Sequence, residues 1–70
     1  MSESIYKVIE LIGTSEKSWE DAAKKAVEKA AETLEDLRIA EVSDMDMKIE
    51  NGKVTAYRTK VKLSFRFKNK

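Results

Sequence analysis

Two carboxylates separated by a single residue, in the segment Asp44-Met45-Asp46, form the most suggestive group for chemistry in this sequence. On a β-strand this spacing puts both side chains on one face. Hard cations such as calcium bind several oxygen ligands, and Tyr57, Thr59, backbone carbonyls or a second copy of the chain could complete such a set. The alternative is a pair of solvated carboxylates, because the same spacing is common on exposed strands. The segment therefore predicts either a metal site at Asp44 and Asp46 or an exposed acidic pair.

Catalytic chemistry has little support in the composition. The chain has no His and no Cys, so nucleophile-and-base pairs would depend on Lys, Ser and Thr in ordinary contexts. Its two glycines, Gly13 and Gly52, do not make a phosphate-binding loop. The sequence predicts a protein that is not an enzyme.

A row of basic residues at alternate positions near the end of the chain is the best candidate for a nucleic-acid surface. It comprises Arg58, Lys60, Lys62, Arg66 and Lys68. Period two places these cations on one strand face, but that face lacks the aromatic partners on which bases stack. We therefore expect cross-strand or intersubunit ion pairing, with nucleic-acid binding as the alternative.

Three side chains with soft or aromatic groups also have two interpretations. Trp19 is expected to anchor a helix in the core or at an interface, with a ligand platform as the alternative. Met45 and Met47 are expected to fill an interface, with a ligand role as the alternative.

The element that must position these groups is a hairpin around Asn51-Gly52. Asn and Gly tolerate the positive φ angles of a type I′ turn, and the two-residue loop fixes the register. The predicted strands are residues 38–49 and 53–67. Three pairs on one face follow from this register: Met47–Ala56, Met45–Arg58 and Ser43–Lys60. The same register pairs Glu50 with Lys53, Ile49 with Val54 and Glu41 with Lys62. The other face pairs Asp46 with Tyr57, Asp44 with Thr59, Val42 with Val61 and Ala40 with Leu63.

This hairpin is long for the protein that carries it. A strand over residues 53–67 spans about 50 Å at about 3.4 Å per residue, whereas a compact chain of this size has a radius of gyration of about 11 Å. Apolar residues lie on both of its faces, and one helix can cover only one of them. The hairpin therefore predicts an obligate homo-oligomer.

The remaining elements define the fold class. Residues 5–12 are rich in β-branched and apolar side chains and stop at Gly13, which predicts a first strand. Ser18 followed by Asp21 predicts a helix start at Trp19, and apolar residues continue at helical spacing to Leu37. The result is an α+β subunit of order β-α-β-β, with the third strand between the first two in an antiparallel sheet.

Chain length and net charge limit the number of domains and the kinds of partner that the sequence predicts. Fourteen basic and thirteen acidic residues leave a net charge of +1, which gives no global attraction to nucleic acid or membrane. Seventy residues predict one domain, residues 1–70, with no apolar run long enough for a membrane span. The first residues lack the features of a signal peptide, so the expected location is the cytoplasm.

Laid out in this way, the sequence resembles the dodecin family over nearly its whole length. The resemblance lies in the segments 6–15, 33–38 and 61–65, which are similar to the family's opening strand, helix end and last strand. It implies that the helix lies on a three-stranded sheet, and that the subunits form a hollow homododecamer that binds, stores or sequesters a small ligand.

The resemblance does not extend to the residues with which the family binds flavin. Flavin-binding dodecins have a stacking Trp and a hydrogen-bonding Gln where this chain has Ile39 and Arg58. With Met45 facing Arg58 in the predicted register, these residues would line an altered pocket that binds riboflavin or FMN weakly or not at all. An altered flavin-binding dodecin is the alternative. The segments around Ser18-Trp19, Arg38-Ile39 and Asp46-Met47 are similar to the subgroup called calcium dodecins, which implies calcium as the ligand of Asp44 and Asp46.

Overall fold

The computed structural model describes residues 5–66 and contains one helix packed on one three-stranded sheet. The elements are β1 (Tyr6–Ser15), α1 (Trp19–Ala31), β2 (Leu37–Glu50) and β3 (Lys53–Arg66). The sheet order is β1-β3-β2, with both neighbouring pairs antiparallel. The predicted fold class is confirmed, while Phe67 and Lys68, which were assigned to the third strand and its basic row, lie outside the described residues.

The turn of the hairpin has the predicted geometry. Asn51 has a φ of 53° and Gly52 a φ of 74°, as a type I′ turn requires. Glu50 pairs with Lys53 and Ile49 with Val54, as predicted.

The middle of the hairpin has a different register from the predicted one. Lys48 pairs with Ala56, so Thr55 is an extra residue on β3; Val42 pairs with Val61 and Asp44 with Lys60, so Ser43 is an extra residue on β2. The two bulges lie on opposite strands and cancel, which is why the Glu41–Lys62, Val42–Val61 and Ala40–Leu63 pairs agree with prediction. Between the bulges the predicted pairs of Ser43, Asp44, Met45, Asp46 and Met47 are wrong.

Each bulge residue makes a hydrogen bond that accounts for its place. The Ser43 hydroxyl donates to the Lys60 carbonyl at 3.3 Å, and the Thr55 hydroxyl donates to the Lys48 carbonyl at 3.3 Å. Both bonds cross to the opposite strand, so each extra residue is tied to the ladder that it interrupts.

β1 continues past Gly13, where the sequence predicted its end. A Cβ atom at Gly13 would lie 2.1 Å from the Ala22 carbonyl oxygen and 3.0 Å from the Ala26 Cβ. Glycine is therefore needed here for close approach of the strand to α1, and its backbone remains extended and paired with Thr59.

α1 begins at the predicted residue but ends earlier. Ser18 caps it, since its side chain accepts a hydrogen bond from the Asp21 N–H at 3.0 Å. At the other end the N–H groups of Thr33 and Leu34 donate to the Ala30 carbonyl, and Asp36 adopts a φ of 65°. This left-handed residue turns the chain into β2, so Leu34 and Leu37 reach the core from a loop and a strand rather than from the helix.

The core lies between the alanine side of α1 and one face of the sheet. Ala26, Ala30, Val61 and Leu63 are its buried members. The residues packed around them are Ile9, Leu11, Ala23, Val27, Leu34 and Leu37. The 13-residue α1, which is the helix of the described part of the chain, is neither long nor apolar enough to cross a membrane.

The subunit is elongated, with a radius of gyration of 14.6 Å and extents of 55 × 20 × 13 Å. Among residues 5–66, ten large apolar side chains are exposed. They are Ile5, Tyr6, Val8, Ile12, Ile39, Val42, Met45, Met47, Ile49 and Val54. The overhanging, two-faced hairpin expected from the sequence is therefore confirmed, and one helix does not cover it.

Candidate functional site

We call the sheet face opposite α1 the outer face; its charged centre is the outer-face cluster of Asp44, Asp46, Arg58 and Lys60. Alternation along β3 puts Arg58 and Lys60 on this face, because Thr59 and Val61 between and beside them are buried under α1. The four side chains line an open cleft of about 400 Å³, together with Ile12 and Met45.

The carboxylates of the cluster are each opposite a cation. The Arg58 Nε and Nη2 atoms donate to the Asp46 Oδ1 and Oδ2 atoms, both at 2.7 Å. This is the two-pronged geometry in which Arg binds a carboxylate most strongly. Lys60 Nζ lies 3.7 Å from Asp44 Oδ2, which is a looser pair, and 70% of the Asp44 side chain is exposed.

The Asp46–Arg58 pair shifts the titration of both groups. The hydrogen bonds from Arg58 lower the pKa of Asp46 below its ordinary value of 3.8, and the same bonds raise the pKa of Arg58. A carboxylate with a lowered folded-state pKa stabilises the fold above the unfolded-state value, and that contribution is lost as the pH falls through the folded-state value. The stabilisation from this pair should therefore be present at neutral pH and disappear only below pH 3.8.

We expect Arg58→Met to raise the pKa of Asp46, because the guanidinium hydrogen bonds that favour the ionised form are removed. The side-chain carboxyl shift of Asp46, followed by NMR from pH 2 to 6, measures this directly. Arg38→Met is the matched control, since Arg38 pairs with Asp36 at 2.9 Å and not with Asp46. An unchanged Asp46 titration in the Arg58 variant would contradict the assigned cause.

The structure places the two candidate metal ligands, Asp44 and Asp46, on one face of the sheet. The negative charge of each is already balanced by a neighbouring cation. Within residues 5–66, no group of three or more His, Cys, Asp or Glu side chains is arranged to hold a metal ion. Two carboxylates and two cations make the cluster neutral, so a calcium ion would have to displace Lys60 and Arg58 from Asp44 and Asp46.

The three residues assigned to an altered flavin pocket do not meet within one subunit. Ile39 pairs with Ser64 and Arg58 with Asp46 on the outer face, which separates them by six positions of β3, or about 20 Å. Ile39 lines a different groove, with Val27 and Leu63. Met45 pairs with Thr59 on the face toward α1, so the predicted Met45–Arg58 contact pair is wrong because of the bulges.

Trp19 joins the start of α1 to the hairpin. Its Nε1 donates to the Asp46 carbonyl oxygen at 2.9 Å, and its ring meets the Tyr57 ring edge-on at 5.0 Å. The buried Thr59 hydroxyl donates to the Trp19 carbonyl at 2.9 Å. Trp19 is thus the anchor that the sequence predicted, but its link to Asp46 was missed, because the signal for it depends on the shifted register.

A second polar group fixes the loop between β1 and α1, and sequence reasoning also missed it. The Ser15 hydroxyl donates to Asp21 Oδ2 at 2.6 Å and accepts from the Lys17 N–H at 2.9 Å. Lys25 Nζ lies 3.3 Å from the same Asp21 oxygen. The hydrogen bond from Ser15, and then Lys25, lower the pKa of Asp21. The pattern Ser15-x-x-Ser18 before a helix was the available signal.

The basic row is interleaved with acids across the sheet. Arg58 and Lys60 pair with Asp46 and Asp44, and Lys62 lies in register between Glu10 on β1 and Glu41 on β2. Paired cations have little charge left for phosphates. The geometry favours the ion-pairing interpretation of this row over the nucleic-acid alternative.

Comparison with known proteins supports a single family. The Dodecin family model matches residues 5–68. The chain is 47% identical to calcium dodecin of Mycobacterium tuberculosis over 66 residues, which are 93% of this chain and 92% of that protein. A crystal structure of that calcium dodecin, described as calcium-chelating and as having a novel calcium-binding site, superposes with a TM-score of 0.82 at 45% identity over 93% of each chain.

A dodecin structure from Streptomyces coelicolor superposes more closely. Its TM-score is 0.91 at 36% identity, and the match covers the whole of both chains. A match of this extent includes β1, α1 and the full hairpin. The chain belongs to the dodecin family.

Proposed function

We propose that this protein assembles into a hollow homododecamer that binds and stores a small ligand, with calcium as the ligand and little affinity for flavin. The observation that supports assembly is the uncovered outer face of the sheet, where Ile39 on β2 and Val8 on β1 are 57% and 53% exposed in the subunit. Other copies of the chain would bury this surface, and burial of apolar area is the main favourable term in association.

The assembly is tested by the mass of the purified protein in solution. Light scattering or native mass spectrometry should give about twelve chains at micromolar concentration. A folded monomer under those conditions would remove the basis of the proposal.

Flavin binding should be weak, since Ile39 offers no ring to stack on an isoalloxazine. An aromatic pair contributes about 0.5–1.5 kcal/mol beyond its buried area, and Arg58 cannot accept a hydrogen bond. The Arg58 guanidinium is also engaged by Asp46 in two hydrogen bonds at 2.7 Å.

Positions 39 and 58 do not meet within one subunit, so a flavin pocket that uses both must form between copies of the proposed dodecamer. In that assembly we expect Ile39→Trp with Arg58→Gln to gain quenching of riboflavin fluorescence that the unmodified protein lacks. Ile39→Leu with Arg58→Gln is the control, because it changes the same positions without adding a ring. Tight riboflavin binding by the unmodified protein would show that another residue supplies the stack.

Calcium is proposed as the ligand because of the likeness to a calcium-chelating relative and the loose pairing of Asp44. Asp44 and Asp46 would supply carboxylate oxygens, which suit a hard cation. Because Lys60 and Arg58 already neutralise them, calcium must compete with two cations for the same oxygens.

This competition predicts that removing Lys60 strengthens calcium binding. Lys60→Met should lower the calcium concentration needed to raise the melting temperature, while Asp44→Asn should abolish the rise. At a hundredfold excess over the dissociation constant, one bound ion stabilises the fold by about 2.7 kcal/mol. Differential scanning fluorimetry of metal-stripped protein measures the shift.

Lys48→Met is the matched control for Lys60→Met. Lys48 pairs with Glu50 at 3.6 Å in the same hairpin, close to the 3.7 Å of the Lys60–Asp44 pair, but outside the cluster. If both Lys variants respond to calcium like the unmodified protein, Lys60 does not compete with calcium for Asp44. If Asp44→Asn also keeps the full response, Asp44 is not a ligand.

A further inference from the structure

Two methionines flank the strand residue to which Trp19 is bound. Met45 and Met47 lie on either side of Asp46, whose carbonyl accepts the Trp19 N–H at 2.9 Å. Both are on the face toward α1, since they pair with Thr59 and Tyr57. Met45 also lines, with Trp19, Ala23 and Val42, an open and mainly apolar cleft of about 450 Å³.

The two bulges put the methionines there. In an unbroken register Met45 would oppose Arg58 on the outer face, away from Trp19. With Thr55 inserted in β3 and Ser43 in β2, Met45 instead opposes the buried Thr59, and Met47 opposes Tyr57, whose ring touches Trp19. Residues 44–48 thus present carboxylates on one face and thioethers on the other.

Trp19 is held in a fixed orientation in the cleft that it lines together with Met45. Its N–H is bound to the Asp46 carbonyl, its own carbonyl accepts from Thr59, and Tyr57 packs edge-on against its ring. The indole is therefore oriented without help from Met45 or Met47, which are 58% and 43% exposed.

We propose that Met45, Met47 and the Trp19 ring form a site for a soft monovalent cation of the copper(I) or silver(I) class. Thioethers select such ions over calcium or magnesium. Alternate residues on one strand are about 6.6 Å apart, within reach of two flexible Met side chains that converge on one ion. An indole face attracts a cation through its ring quadrupole.

The site differs from the proposed calcium site in the chemical class of its ligands, which are thioethers rather than carboxylates, although Met45 also borders the outer-face cleft. Glu20 is the charged residue that lines the cleft together with Met45 and Trp19. The acidic pair on the outer face is therefore not required for silver binding.

Silver(I) nitrate titration in chloride-free buffer, at the natural oligomeric state, tests the proposal. Trp19 is the one Trp of the chain, so its fluorescence reports the site directly. We expect saturable quenching that fits one ion per chain, with at least a tenfold weaker response in M45L/M47L. Leucine conserves volume and apolar character, and far-UV circular dichroism checks that the variant is folded.

Two further measurements test whether silver binds at Met45, Met47 and Trp19 rather than at the acidic pair. D44N/D46N should bind silver like the unmodified protein, and isothermal calorimetry of W19F should show weaker binding with the same stoichiometry. Equal silver affinity in M45L/M47L and the unmodified protein would overturn the proposal. Absence of saturable quenching in the unmodified protein would also overturn it, since the site would then be closed by neighbouring copies.

Discussion

Gly13→Ala is expected to destabilise the subunit strongly. The new Cβ atom would lie 2.1 Å from the backbone oxygen of Ala22, which cannot move without displacing α1 from the sheet. Overpacking of a tight site costs about 1–3 kcal/mol and occasionally more. That cost is large for a 70-residue chain with a small core. Urea unfolding followed by circular dichroism should show a lower midpoint.

The second glycine provides the matched control. A Cβ atom at Gly52 meets nothing within 4 Å, but the residue has a φ of +74°. Gly52→Ala should therefore cost only the backbone strain, about 1–2 kcal/mol, and Gly52→Asn less because Asn tolerates this conformation. If Gly13→Ala is no more destabilised than Gly52→Ala, the close contact with Ala22 is not a constraint on the fold.

Ile39→Asp combined with Val8→Asp is expected to break the assembly. Both residues flank Ser64 in one row on the outer face, and both are more than half exposed in the subunit. In a monomer these changes would be nearly neutral, because they replace side chains that already contact water. In an assembly that buries them, each apolar side chain contributes about 1.5–3 kcal/mol, and the loss is repeated in every copy.

Light scattering should then give a mass well below that of the unmodified protein. Lys24→Asp on the exposed side of α1 is the control for the added negative charge. A full-size assembly formed by the double variant would show that this row of the outer face lies outside the contacts between copies.

Local signals in the sequence predicted most of the fold. Asn51-Gly52 determined the turn and the register next to it, and Ser18 determined the start of α1. The end of α1 was misjudged because Leu34 and Leu37 continue the helical spacing although the chain has already turned at Asp36. Gly13 resembled a strand end, since a sequence does not reveal that another backbone approaches it closely.

The candidate site was predicted less well than the fold, and the two bulges explain why. Ser43 and Thr55 are ordinary strand residues, and only their cross-strand hydrogen bonds reveal that each is an extra residue. Their effect is local: the Ile49–Val54 pair on one side of them and the Val42–Val61, Glu41–Lys62 and Ala40–Leu63 pairs on the other agree with prediction, while Asp46 faces Arg58 instead of Tyr57. The shared face of Asp44 and Asp46 follows from strand alternation alone, so that prediction survived the change of partners.

The position of β3 between β1 and β2 determines when the sheet can form during synthesis. β1 and β2 pair with β3 and not with each other, so neither has a partner until residues 53–66 have left the ribosome. Until then β2 is an unpaired strand of 14 residues with several apolar side chains, of the kind that associates with other chains. The Asn51-Gly52 turn shortens this interval, because β3 folds back onto its neighbour as soon as it emerges.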